Sequence, residues 1–163
     1  MLQVSRALPS WAAYVKYVND IVVNGIVQVI YNSMRFVLDQ MDVENHSHDG
    51  GQVMFNVYLS IVGKQLVCTP DIEITVGSSG GRDSIADIIN DWIELFFETA
   101  TMVRRLDNPT DDYLLEVGEN DQLLRMQDML ITRVKSTLEK CTKLRDNLLQ
   151  YSRFFAVRKT WHR

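Results

Sequence analysis

Few side chains in this chain could bind a metal ion. The polar segment of residues 45–51 contains His46, His48 and Asp49, and imidazole and carboxylate groups are common metal ligands. Two histidines separated by a single residue in a loop match no recognised ligand spacing. The sequence therefore favours a solvated loop over a metal site, and we expect no metal-binding residue.

A second group of residues has the outline of a phosphate-binding loop. Residues 77–81 read GSSGG and precede a predicted helix, and the N–H groups at the start of a helix attract anions. A nucleotide-binding loop also needs a Lys-Ser or Lys-Thr pair after its glycines. This chain has no such pair there, so we interpret the segment as a link and expect no cofactor.

The segment of residues 107–121 is acidic and contains no lysine or arginine. Paired carboxylates can act as general acid and base, but they then need unequal, partly buried environments. Pro109 and Gly118 argue against a continuous helix. We predict a solvated acidic loop without catalytic residues, and the alternative is a contact surface for a basic partner. The carboxylates are Asp107, Asp111, Asp112, Glu116, Glu119 and Asp121.

Residues 53–76 are predicted to form a β-hairpin. Two alternating runs flank Gly63 and Lys64, and a two-residue turn there pairs Val62 with Gln65 and fixes the register. One face of this ribbon is almost wholly apolar, so we expect that face to pack on a core. The further predicted pairs are Ile61 with Leu66, Leu59 with Cys68, Val57 with Pro70, Phe55 with Ile72, and Val53 with Ile74.

The first long helix is predicted over residues 10–42, with Ser10 as its N-cap. Its apolar residues recur near the helical period and spread almost around the axis. Such a helix needs neighbours on more than one side. The main stripe is Trp11, Tyr14, Val15, Val18, Val22, Gly25, Ile26, Val29, Ser33 and Phe36, and the residues that widen it are Ile21, Val23, Val27, Ile30 and Val37.

Two further helices are predicted over residues 83–106 and 121–158, the first with Asp83 or Ser84 as its cap. The stripe of the first is Ile85, Ile88, Ile89, Trp92, Phe96, Ala100 and Val103. The stripe of the second is Leu124, Ile131, Val134, Leu138, Cys141, Leu148 and Phe155, with Met126, Leu130, Leu144 and Tyr151 beside it. The predicted fold is α+β and predominantly α, a bundle of long helices with an inserted two-stranded antiparallel hairpin.

Composition narrows the class of protein. The chain has 163 residues, of which 46% are hydrophobic and 23% charged, as expected of one domain with a core. Its net charge of -4 argues against a nucleic-acid surface over the whole chain and leaves a local basic patch open. Cys68 and Cys141 lie in separate apolar contexts and are expected to be reduced thiols, which suits a reducing compartment such as the cytoplasm. Polar residues interrupt the apolar stretch 11–41, so we expect no membrane span. The N-terminus lacks a charged leader followed by an apolar block and a small-residue cleavage site, so we expect no secretory signal.

The order of these segments resembles the stem of dynein heavy chains, N-terminal to the motor linker and of axonemal type. Most of the chain is covered by this resemblance. The stretches that carry it are YNSMRFVLDQMD (31–42), TPDIEI (69–74), RDSIADIINDWIELFFETATMVRRL (82–106), DDYLLEV (111–117) and YSRFFAVRKT (151–160).

The resemblance implies a structural part of an ATP-driven microtubule motor, located in the cytoskeleton, most specifically the axoneme of a cilium or flagellum. It implies other heavy chain segments and dynein intermediate or light chains as partners, and neither nucleic acid nor membrane. The motor's nucleotide-binding motifs are not in this sequence, so no catalytic residue is carried over. Two other readings stay open: a free-standing adaptor that uses its hairpin edge or acidic loop, and a small enzyme.

Overall fold

The computed structural model describes residues 9–41, 54–63, 65–72 and 84–160, with residues 152–160 described by their backbone alone. Within this part, the chain is mostly helical and contains one antiparallel hairpin, which confirms the predicted α+β, predominantly α class. The elements are α1 (Pro9–Gln40), β1 (Tyr58–Val62), β2 (Gln65–Thr69), α2 (Ile85–Glu98), a 3-10 turn (Thr99–Thr101), α3 (Leu114–Gly118) and α4 (Asp121–Thr160).

The chain divides into two compact units. The first unit comprises Met1–Asp39 and Trp92–Leu130, and the second comprises Gln40–Asp91 and Ile131–Arg163. The boundary between Asp91 and Trp92 falls inside α2, and the boundary between Leu130 and Ile131 falls inside α4.

The buried seam of α1 differs from the predicted stripe. Its buried residues recur every three or four positions or at multiples of that spacing, but Tyr14, Val29 and Phe36 of the predicted stripe are more than half exposed. The prediction of the face was wrong because apolar residues surround the helix, so periodicity does not decide which side is covered. The buried residues are Val15, Asn19, Val27, Ile30, Met34 and Val37.

By length and composition alone, α1 is the one helix in the described residues that could cross a membrane. Core helices of soluble proteins meet the same criterion. Two exposed ion pairs lie on the helix, Lys16 with Asp20 at 2.7 Å and Arg35 with Asp39 at 3.7 Å.

Helix α2 begins at the predicted cap. The Ser84 hydroxyl caps the helix by accepting a 3.1 Å hydrogen bond from the Asp87 N–H, and it donates a 2.7 Å bond to the Asp87 carboxylate. The alternative cap, Asp83, lies outside the described residues. At the centre of this helix Ile93 is buried, whereas Trp92, which belongs to the predicted stripe, is only half-buried.

Helix α2 ends at Glu98, although the sequence predicts helix to residue 106. Its last turn tightens into the 3-10 turn, where the Thr99 hydroxyl donates to the Phe96 carbonyl at 2.7 Å and the Thr101 hydroxyl to the Glu98 carbonyl at 2.8 Å. These bonds satisfy carbonyls that the next helical turn would otherwise use. Val103, predicted to be buried, is exposed.

Helix α4 begins at Asp121, as predicted, and extends two residues beyond the predicted end. The side-chain oxygen of Asn120 caps it by accepting from the N–H groups of Gln122 and Leu123 at 3.0 and 3.2 Å. Leu124, predicted to be in the core, is exposed, and Leu123 is buried in its place. The buried residues of α4 are Leu123, Met126, Leu130, Val134 and Leu138, and Leu144, Leu148 and Tyr151 are exposed.

The hairpin has the predicted register. The pairs from Val62 with Gln65 to Tyr58 with Thr69 are all formed, including Ile61 with Leu66 and Leu59 with Cys68. The ladder ends there, so the predicted pairs of Val57 with Pro70 and Phe55 with Ile72 lie beyond the strands, and Val53 with Ile74 lies outside the described residues.

The apolar face of the hairpin is only partly covered. Cys68 is buried on β2, but Leu59 and Ile61, its neighbours on the same face of β1, are exposed. The expectation that the whole face packs on a core is therefore wrong for β1. Beyond β2, the Asp71 carbonyl accepts a 2.9 Å bond from the Ile85 N–H and ties the hairpin to the start of α2. Neither Cys68 nor Cys141 forms a disulfide, as predicted.

Candidate functional site

The main polar cluster of the first unit is built around Asn19, which lies in the buried seam of α1. The Tyr113 hydroxyl donates a 2.7 Å hydrogen bond to the side-chain oxygen of Asn19. The side-chain amide of Asn19 donates in turn to a carboxylate oxygen of Asp107 at 3.2 Å. Both ends of the Asn19 amide are thus satisfied by residues 88 and 94 positions away, and a buried polar side chain requires such partners.

Arg105 completes the cluster. Its Nε donates to Asp107 at 3.1 Å and its Nη1 to Glu116 at 2.6 Å. The guanidinium carbon lies 5.2 Å from the centroid of the Tyr113 ring, within the range of a cation–π interaction. The Arg105 side chain is only 19% exposed, so these contacts are shielded from solvent more than a surface ion pair is.

The charges of the cluster reinforce one another. Hydrogen bonds to Glu116 and Asp107 raise the pKa of Arg105 far above its ordinary value, and the bond from Arg105 lowers the pKa of Asp107. Burial raises the pKa of Tyr113. At neutral pH the cluster therefore holds a cation, an Asp107 anion and a neutral phenol. The shifts of Arg105 and Asp107 favour their charged forms in the folded chain and so stabilise it at neutral pH.

A groove of about 1000 Å³ lies beside the cluster in the first unit. One wall is the N-terminal half of α1, including Trp11 and Val15, and the other is the segment of Leu106 and Pro109. Most of its charged atoms already bond to protein partners: Lys16 to Asp20, and Arg105 to Asp107 and Glu116. The groove is amphipathic, without a free cluster of one charge that would select an ionic ligand.

A second, smaller groove of about 600 Å³ in the first unit is mostly apolar. Val29, Phe36 and Val37 of α1 face Trp92 and Phe96 of α2 across it. Phe36 is 64% exposed. The groove therefore leaves an apolar surface open to solvent.

The residues that the sequence offered for chemistry have different outcomes. His46, His48, Asp49 and the GSSGG segment lie outside the described residues. In the part of the chain that the structure describes, no group of three or more His, Cys, Asp or Glu residues could hold a metal ion.

The acidic segment is not a freely solvated loop. Asp107 and Glu116 bind Arg105, and Asp112 lies 3.7 Å from Arg104. The sequence did not predict these partners, because the predicted helix continued through Arg104 and Arg105, whereas α2 ends before them at Glu98. One signal could have identified the cluster: Asn19 is a polar residue in an otherwise apolar seam of α1.

No family model matches the chain. It is 27% identical over 154 residues, 94% of its length, to the dynein beta chain of the flagellar outer arm of Chlamydomonas reinhardtii. It is 23% identical over 87% of its length to human dynein axonemal heavy chain 17 and to the ciliary dynein beta chain of Tripneustes gratilla. The chain spans about 3% of the length of each of these relatives. It is therefore a homologue of axonemal dynein heavy chains and corresponds to one short segment of them.

Proposed function

We propose that the chain is a non-catalytic structural segment of the stem of an axonemal dynein heavy chain, N-terminal to the motor linker. The parent protein would be an ATP-driven microtubule motor of the axoneme. This location is supported by the relatives, which are named as flagellar and ciliary dyneins. The segment would link the motor to its cargo or to the axoneme and pack against other stem segments or against intermediate or light chains.

The observation that carries this proposal is the second apolar face of α1. Tyr14, Ile21, Val29 and Phe36 follow one another at steps of seven or eight residues and are all more than half exposed. This spacing places them along one side of the helix. Burying such side chains against a partner would be worth about 25 cal/mol per Å² of apolar surface removed from water.

The uncharged character of this face suits a partner helix with an apolar stripe. Between Asp20 and Arg35, α1 contains no charged residue. The face is continuous with the apolar groove of Trp92 and Phe96, because Val29 and Phe36 belong to both. A helix with an apolar stripe could lie in such a groove.

The polar cluster supports a mechanical role. Asn19, Arg105 and Tyr113 join α1 to the segment after α2 through hydrogen bonds and an ion-pair network. A junction of this kind resists sliding, because shifting one side leaves buried polar groups without partners. A segment that transmits force needs such fixed internal contacts.

The test is assembly of the heavy chain after charge is placed on the exposed face. We expect Ile21→Lys and Phe36→Lys to abolish co-purification with adjoining stem segments or with intermediate and light chains. Leu115→Lys is the matched control, since Leu115 is 74% exposed on α3. All three isolated chains should keep the melting temperature of the parent chain within a few degrees. Normal assembly of the Ile21 and Phe36 variants would contradict the proposal.

A free-standing adaptor is the second candidate function, and one observation favours it: every residue of β1 is exposed. Such a strand could recruit a partner by strand addition. The acidic-loop version is less favoured, because Asp107 and Glu116 already bind Arg105. Unchanged partner binding by a folded edge-strand proline variant would exclude the strand-addition version.

A further inference from the structure

Strand β1 forms an open edge of the hairpin. In the described residues, the sheet has only two strands, so the outer side of β1 has no strand beside it. All five of its residues are exposed, and its sequence, YLSIV, contains neither charge nor proline. Natural edge strands are normally protected by charged residues, prolines or bulges, and β1 has no such protection.

The turn determines which backbone groups face outward. The hairpin turns at Gly63, which has a φ of 65°, between the paired residues Val62 and Gln65. A two-residue turn makes its flanking residues a hydrogen-bonded pair. Because bonded and non-bonded pairs alternate in an antiparallel ladder, the N–H and C=O groups of Leu59 and Ile61 point away from β2 and are available to another strand.

We propose that β1 pairs with β1 of a second copy of this chain, antiparallel and about a two-fold axis at Ser60. In a two-fold interface, when residue i of one copy contacts residue j of the other, residue j of the first copy also contacts residue i of the second. Centred on Ser60, the strand is symmetric in residue class: Leu59 would face Ile61 of the second copy, and Tyr58 would face Val62. This inference is independent of the proposed stem function.

The side chains favour a second copy over a strand of arbitrary sequence. Apolar residues would meet apolar residues on both faces of the new pair, and Ser60 would meet Ser60. No like charges would be brought together, because β1 has no charged residue. The contact involves only five residues from each copy, compared with about 20–30 in a standard interface, so the dimer is expected to be weak and to depend on concentration.

A position-specific disulfide tests this arrangement. In a Cys141→Ser background, Ser60→Cys should give disulfide-linked dimers on mild oxidation, because directly opposed non-bonded residues have Cα atoms about 4.5 Å apart, which suits a disulfide. Cys68 lies on the other face of the hairpin from Ser60. Val62→Cys alone is the matched control, since it would face Tyr58 of the second copy. Mixing Tyr58→Cys with Val62→Cys chains should restore linkage.

Two further variants test whether the strand edge is responsible. Ile61→Pro removes an outward N–H without removing a bond between β1 and β2, and Ile61→Lys adds a charge to a side chain that is 74% exposed. Each should reduce the linkage of the Ser60→Cys chain several-fold, to the level of the Val62→Cys control. Ile61→Lys keeps the test valid if the proline disturbs the hairpin.

Three results would overturn the proposal. Ser60→Cys could link no more than Val62→Cys alone, its linkage could be unchanged by Ile61→Lys, or the mixed Tyr58→Cys and Val62→Cys chains could fail to link. A chain that stays at its monomer mass of 18.8 kDa and binds a strand of a different protein at β1 would also exclude pairing with a second copy.

Discussion

The hydroxyl of Tyr113 lies 2.7 Å from the side-chain oxygen of Asn19, and both residues are buried. Their bond joins α1 to the segment that precedes α3. Asn19 would be an unfavourable residue in this seam without its partners, because an unpaired buried amide costs free energy. The pair therefore fixes the position of one segment against the other.

A double-mutant cycle should detect this pairing. We expect Tyr113→Phe to lower the free energy of unfolding by about 1–3 kcal/mol, because it leaves the buried Asn19 oxygen without its donor. Asn19→Ala should destabilise by a similar amount, and the double variant by less than the sum, with a coupling of about 0.5–3 kcal/mol. Urea unfolding of the four chains gives these values. Strict additivity would show that the two side chains do not interact.

Arg105 and Arg104 should differ sharply in their contribution to stability. Arg105→Gln removes charge-assisted bonds to Asp107 and Glu116 and is expected to cost about 1–2 kcal/mol. Arg104 is exposed and has a single 3.7 Å contact with Asp112, so Arg104→Gln should change stability by less than about 0.5 kcal/mol. Chemical unfolding of both variants measures the contrast. Equal losses would mean that the network has no special role.

Acid should weaken the cluster. The bond from Arg105 lowers the pKa of Asp107 below its ordinary value of 3.8, so the folded chain binds this proton less readily than the unfolded chain does. The resulting stability is present above pH 4 or so and is lost as the pH falls through the folded-state pKa. We expect Asp107→Asn to reduce the fall in melting temperature between about pH 5 and pH 2. Asp128→Asn, at an exposed position of α4, is the control and should keep the parent profile.

Adjacent leucines of α4 should respond differently to truncation. Leu123 is fully buried and Leu124 is 45% exposed. Leu123→Ala should cost about 2–5 kcal/mol because it removes buried methyl groups and leaves a cavity, whereas Leu124→Ala should cost less than about 1 kcal/mol. Denaturant unfolding compares the two. The reverse order would show that the helix presents the face that the sequence predicts.

Gly25 should accept a side chain in the isolated protein. It lies within α1, and an added Cβ would meet no atom within 4 Å. Gly25→Ala is therefore expected to stabilise the chain by about 0.5–1 kcal/mol, because alanine loses less backbone entropy in a helix. Thermal unfolding provides the measurement. A destabilised variant would indicate that Gly25 is contacted by another helix even in the isolated protein.

The sequence by itself determined the features that depend on local interactions. The hairpin register followed from a two-residue turn and strict alternation, because a shift by one residue would reverse every side chain. The sequence predicted the cap of α2 at Asp83 or Ser84 and the start of α4 at Asp121, and the cap bond of Ser84 reaches backbone only three positions away. The relation to dynein heavy chains was also present in the order of the segments.

Only the tertiary structure decided which faces are covered. Apolar residues surround α1, so its period could not distinguish the seam of Ile30 and Met34 from the exposed face of Val29 and Phe36. For the same reason, the sequence predicted that Leu124 is buried, whereas the structure buries Leu123. Helix α2 ends before its apolar pattern does, and Arg105 therefore lies outside the helix, where it pairs with Glu116. In each case, which side chains are buried depends on the segment that packs against them. That segment is distant in the sequence, so local periodicity does not identify it.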